Sequence, residues 1–147
     1  MRPNDFIFFS YVGNTTELVW NICYACFVKQ GGFPMNNGIK NMNHETVVRL
    51  ADQIDILPGQ VVSKTLAQNG SVSVTLFGFD QGEEISTHES GGDAMVSVLY
   101  GKGRFTIDGK VFELSKCESI VMPANKPHSV YAIEPFKMCL VVVFPNE

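Results

Sequence analysis

Two stretches of this chain hold the residues best suited to chemistry. Gly82 to Gly101 reads GEEISTHESGGDAMVSVLYG, and Pro123 to His128 reads PANKPH. They carry His88 and His128, two of the three histidines in the chain. A neutral imidazole can bind a metal or carry a proton near neutral pH. Zinc, iron or manganese sites usually take three or four protein ligands from His, Cys, Asp or Glu. His88 and His128 supply two. Ser90 adds a neutral hydroxyl and Ala94 adds no donor. Asp93 becomes a third ligand only if a bulge at Gly91-Gly92 turns it inward, because side chains alternate along a strand. With Ala94 pointing in, a regular strand points Asp93 out. The plainer alternative makes His88 and His128 pocket histidines, hydrogen-bonded to each other, to Ser90 or to water. Phe77, Phe79, Met95 and Met122 could line a small apolar cavity, and core packing accounts for them equally well. Met122 and Cys139 are the sulfur atoms that could supplement a metal site. Glu83 and Glu84 read as a solvated turn, Arg104 and Lys126 as surface charges, and His44 as exposed.

The elements that must position these residues are strands. Pro58-Gly59 is a turn signal. Val61 to Ala67 and Ser71 to Phe79 follow, joined at Asn69-Gly70, a strong hairpin signal. In the second strand Val72, Val74 and Leu76 share one face, and Ser73, Thr75, Phe77 and Phe79 the other. Ala94 to Tyr100 and Arg104 to Ile107 come next, and Asp108-Gly109 marks another tight hairpin. Lys110 to Leu114, Ser119 to Met122, His128 to Ile133 and Lys137 to Phe144 complete the set. Many short strands with frequent turn signals predict an all-β sandwich or barrel. Met138 to Phe144 is apolar on both faces, which predicts a central strand or cover by a second subunit. Asn43 to Asp55 reads as a short helix, with Val47, Leu50 and Ile54 at helical spacing, or alternatively as a strand or a one-turn segment.

The two half-motifs together resemble those of the cupin family. The spacing matches: five residues separate Gly82 from His88, six separate Ala94 from Gly101, and four separate Pro123 from His128. Val98 to Gly109 resembles the family's central hairpin. The resemblance covers roughly residues 60 to 145 and implies a cupin-type antiparallel β-barrel, also called a double-stranded β-helix or jelly roll. It implies a metal site of three His and one Glu, from which this chain departs. Ser90 stands at the second His position and Ala94 at the Glu position. Cys117 stands where the family usually has a turn glycine, and Asn125 replaces another. Asn tolerates positive φ, whereas Cys117 is harder to accommodate there.

The fold does not fix the function. The expectation is a small-molecule-binding protein, non-catalytic or with a weak divalent metal site of zinc, iron or manganese at His88 and His128. Its ligand pocket would comprise His88, Ser90, Ala94, His128, Phe77 and Met122. The alternative is a metal-dependent dioxygenase or isomerase, with His88, His128 and Asp93 or water around a Lewis-acidic or oxygen-binding metal. A sensor module of a transcription regulator lacks its helix-turn-helix. The family resemblance and the two-sided apolar strand together imply a homodimer.

Composition narrows the partners. The chain has 147 residues, 45% hydrophobic and 18% charged, with net charge −4. Those values suit one globular domain. No basic stripe marks a nucleic-acid surface, and no apolar run is long enough to span a bilayer. Four cysteines without a secretory signal read as free thiols in the cytoplasm.

Residues 1–34 differ from the rest. They hold five of the eleven Phe, the single Trp and the pair Cys23 and Cys26, without sustained periodicity. Cys23 and Cys26 lack the helix of a redox motif and the second ligand pair of a zinc site. The codons for Gln30-Gly31-Gly32 can spell a bacterial ribosome-binding site shortly before Met35. Residues 1–34 are therefore expected to be a translated leader or a poorly packed extension, and 35–147 the single domain; the alternative is an extra strand or helix packed on the barrel.

Overall fold

Local turn chemistry lays down the strands. Asn69 Oδ1 accepts hydrogen bonds from the Ser71 and Val72 amides at 2.9 and 3.0 Å. That clasp closes the hairpin between Val61–Gln68 (β2) and Val72–Phe79 (β3). Asp108 and Gly109, at φ +50° and +76°, form the two-residue turn whose twist suits a hairpin. It joins Lys102–Ile107 (β6) to Lys110–Ser115 (β7). The computed structural model describes residues 38–145 and a two-residue strand, Ile7–Phe8 (β1). The remaining strands are Glu84–His88 (β4), Asp93–Tyr100 (β5), Ser119–Met122 (β8), His128–Ala132 (β9) and Phe136–Val143 (β10).

The strands form two antiparallel sheets, in the orders β1-β2-β3-β10-β5-β8 and β4-β9-β6-β7. Phe79, Val96, Phe105, Phe136 and Met138 are fully buried in the core they share. The rings of Phe79 and Phe136 stack at 4.6 Å. The fold class is the one expected, all-β and barrel-like. β10 lies inside the larger sheet, hydrogen-bonded to β3 and β5, which explains an apolar sequence on both faces.

Of the helix, strand or one-turn segment expected within Asn43 to Asp55, the structure has the one-turn form, a single 3-10 turn at Leu50–Gln53. Asn41 and Glu45 take left-handed backbone, and Arg49 makes no side-chain cap. Val47 is fully exposed, whereas Leu50, Ile54 and Leu57 pack on the outer face of the larger sheet with Val62, Leu66, Leu76 and Cys139. Sheet cover thus outweighs the modest local propensity. Lys64 and Lys137 hold the segment down, donating to the carbonyls of Gln53 and Ala51 at 3.1 and 2.7 Å. Gly101 follows β5 at φ +71°, and a Cβ there would fall on the Pro135 carbonyl oxygen. Only glycine fits both constraints. No helix among the described residues is long and apolar enough to cross a membrane. The leader reading concerns residues outside the described set except β1, which pairs with β2 at Ser63 and Val62. Cys23 and Cys26 also lie outside it.

Candidate functional site

His88 ends β4 and His128 begins β9, where they pair directly across the smaller sheet. His128 also pairs with Ile107 of β6. Its alternation with the core residues Val130 and Ala132 faces it inward. His88 reaches the same face by a different route. Ile85 pairs with Val130, yet His88, three residues on, pairs with His128, two residues away. A bulge at Ser86-Thr87 absorbs the extra residue and reverses the side-chain parity. Nothing in a Ser-Thr pair signals that bulge; the sequence points to one only at Gly91-Gly92.

The two rings meet edge to face, with centroids 4.4 Å apart. Each Nδ1 lies beside a carbonyl two residues earlier. His88 Nδ1 is 2.9 Å from the Ser86 oxygen and His128 Nδ1 is 2.8 Å from the Lys126 oxygen. A carbonyl only accepts, so each Nδ1 carries the proton and donates it. In the neutral form that leaves both Nε2 lone pairs available, the usual arrangement for a metal-binding imidazole. His128 is 2% exposed. Burial pushes its imidazole below the ordinary value; the Lys126 carbonyl opposes this, the His88 charge adds to it and Glu89 opposes it.

The other expected site residues lie on the β4–β5 connection, on β5 and in the core. Ser90 Oγ accepts from the Gly92 amide at 3.2 Å, inside its own loop. Gly92 is needed for close approach, since a Cβ would fall on the Val143 carbonyl. Ala94, Phe77 and Met122 belong to the packed core, with Ala94 opposite Met122 in register. Asp93 is exposed, and its Oδ1 accepts from the Ala124 amide at 2.8 Å. Cys139 packs in the cluster on the outer face of the larger sheet, away from the core that Met122 occupies. Burial raises its thiol pKa. Among the described residues no three His, Cys, Asp or Glu side chains gather as a metal centre.

The Pro123–Pro127 loop that carries His128 is tied on several sides. Asn125, at φ +58°, donates its amide to the Ser90 carbonyl at 2.8 Å. Asp108 donates its amide to the Pro127 carbonyl at 2.8 Å, and Lys126 Nζ pairs with Asp108 Oδ2 at 2.9 Å. That exposed pair is worth little by itself. An open groove of about 430 Å³ lies elsewhere, lined by residues of β7 and β8 that include Phe112, Leu114 and Ile120. Its acids are engaged: Glu113 by Lys102 and Arg104, and Glu118 by the Ser115 amide.

Two antiparallel sheets closed around one core make a cupin-type β-barrel. The cupin domain family model matches residues 75–144. A cupin superfamily protein from Desulfitobacterium hafniense is 32% identical, covering 73% of this chain and 98% of its own, with a TM-score of 0.70. The chain belongs to the cupin family. A conserved Streptococcus pyogenes protein of unknown function is 42% identical over 75% of this chain and 96% of its own, with a TM-score of 0.73. A cupin 2 conserved barrel domain protein from Leptotrichia buccalis is 41% identical over 63% of this chain and 45% of its own, with a TM-score of 0.62. The comparison with curated proteins returned no match.

Proposed function

We propose that this cupin binds a small molecule without turning it over, and that its two histidines make only a weak site for a divalent metal. The observation that carries the reading is the pair of Nε2 lone pairs on His88 and His128, with no carboxylate or third imidazole gathered beside them among the described residues. Zinc, iron or manganese would be held by those two nitrogens and solvent. A bound divalent ion would supply Lewis acidity. The residues fit weak coordination and fall short of the three or four protein ligands typical of a tight centre. His128 is better suited to accept a hydrogen bond from a ligand hydroxyl or amide, because burial favours its neutral form.

The test combines metal analysis of freshly purified protein with a Zn²⁺ titration of the parent and His88→Ala. Substoichiometric metal and weak, histidine-dependent binding are expected. Tight stoichiometric metal would favour the metal-dependent enzyme instead. The protein is further proposed to be a homodimer. Exposed Met95 and Val121 pair across β5 and β8, and dimerisation would cover them. Sedimentation at micromolar concentration should give about twice the chain mass. A persistent monomer refutes the dimer.

A further inference from the structure

The Asp93 carboxylate has a use that does not involve binding anything foreign. Its Oδ1 accepts from the Ala124 amide at 2.8 Å, joining the start of β5 to the loop after β8. The next amide, of Asn125, donates to the Ser90 carbonyl at 2.8 Å. Two successive amides of this loop are thus held, one by the first residue of β5 and one by the β4–β5 connection. The loop closes through the Lys126 amide, which donates to the Pro123 carbonyl at 3.3 Å. The Lys126 carbonyl then accepts from His128 Nδ1 at 2.8 Å. These bonds form a continuous path from the Asp93 carboxylate to the plane of the His128 ring.

We propose that Asp93 is a positioning residue for His128: it fixes the Pro123–Lys126 turn, the turn fixes the Lys126 carbonyl, and that carbonyl sets the tautomer and direction of the imidazole. The proposal deepens the two-histidine reading and rests on it only for the metal-affinity arm of the test. The role depends on where an acceptor oxygen sits and not on its charge. A carboxylate that ligates or neutralises a bound cation would depend on charge.

Two conservative variants separate these cases. Asp93→Asn keeps an acceptor oxygen in place and removes the charge. Asp93→Glu keeps the charge and moves the oxygen by about one bond length, roughly 1.5 Å. The first readout is nitrogen-resolved NMR of the His128 ring, which reports whether Nδ1 carries the proton. The second is the Zn²⁺ affinity of each purified variant. Asp93→Asn should keep the Nδ1–H form and bind Zn²⁺ within about twofold of the parent. Asp93→Glu should mix the tautomers and weaken binding by about tenfold, as loss of an orienting partner does at metal-bound histidines. The reverse order, with Glu tolerated and Asn damaging, overturns the proposal in favour of ligation or electrostatics. Unchanged His128 spectra in both variants also overturn it. If the parent binds no Zn²⁺, the weak-metal reading fails alone, and the NMR order still decides the role of Asp93.

Discussion

The double change Ser90→His and Ala94→Glu tests whether the site is weak because donors are missing. Ala94 is 2% exposed and lies opposite Met122 in the core. A glutamate there must displace packed neighbours, and overpacking costs about 1–3 kcal/mol. Its carboxyl would also be held above the ordinary range by burial until a cation arrives. Ser90→His removes the 3.2 Å bond from the Gly92 amide to Ser90 Oγ, worth about 1 kcal/mol. The Asn125 amide bond to the Ser90 carbonyl is backbone to backbone and survives the change. The metal-free variant should therefore unfold several degrees below the parent. Zn²⁺ should bind it at least about ten times more tightly than the parent, or about 1.4 kcal/mol. Saturation at about one hundred times the dissociation constant then returns about 2.7 kcal/mol of stability. Calorimetric titration and thermal unfolding with and without Zn²⁺ measure both effects. Equal affinity in the two proteins would refute the reasoning. Tight binding by the parent would point to an unforeseen ligand and put the enzyme reading first.

Burial of His128 gives stability a pH dependence with a definite sign. Its folded-state pKa lies below 6.5, so the unfolded chain binds more protons as pH falls below that value. Stability should be fully present above about pH 6.5 and decline as pH falls through the folded-state value. Urea midpoints of the parent should fall more steeply over that window than those of His128→Asn; parallel curves would discount the histidine. Gly101→Ala should cost about 2–3 kcal/mol, because positive φ and the Pro135 carbonyl both exclude a Cβ. A neutral urea midpoint would discount that steric argument. Deleting residues 1–34 removes β1, which pairs only Ile7 and Phe8 with β2. The remaining protein should stay soluble with an unchanged thermal midpoint, and insolubility or a loss of several degrees would make the segment structural.

What the sequence made legible is what local physics decides. Asp108-Gly109 needs positive φ at both residues, and hairpin chemistry predicts its turn. Alternation along β3 separates Leu76, under the outer segment, from Phe77 and Phe79 in the core. Cys117 is an awkward residue for a turn needing positive φ, yet it adopts φ +72° in the connection between β7 and β8. Its amide donates to the Val98 carbonyl at 2.9 Å, and the Glu118 amide donates to the Ser115 carbonyl at 3.0 Å. Those bonds hold a conformation that costs a non-glycine residue about 1–2 kcal/mol. The segment before β2 shows the converse. Val47, Leu50 and Ile54 have helical spacing, but the outer sheet face sets the path of that segment.

The site divides along the same line. Alternation from Ala94 to Asp93 is readable, and so is the shortage of donors. The spacing of the half-motifs places His88 with His128, but the bulge that turns it inward is not readable, because no glycine announces it. The bond from Asp93 to Ala124 links residues 31 positions apart and leaves no periodic trace. Both imidazoles nevertheless use one device, an Nδ1 proton held by the carbonyl two residues earlier. One carbonyl belongs to a bulge and the other to a closed turn, so each ring direction is fixed by backbone. Neither support involves the side chain of Ser90 or Ala94. The frame that aims the two Nε2 atoms therefore stands independently of how many further ligands surround them. That independence is why adding donors at positions 90 and 94 should strengthen metal binding, whereas displacing the Asp93 oxygen should weaken it without removing any ligand.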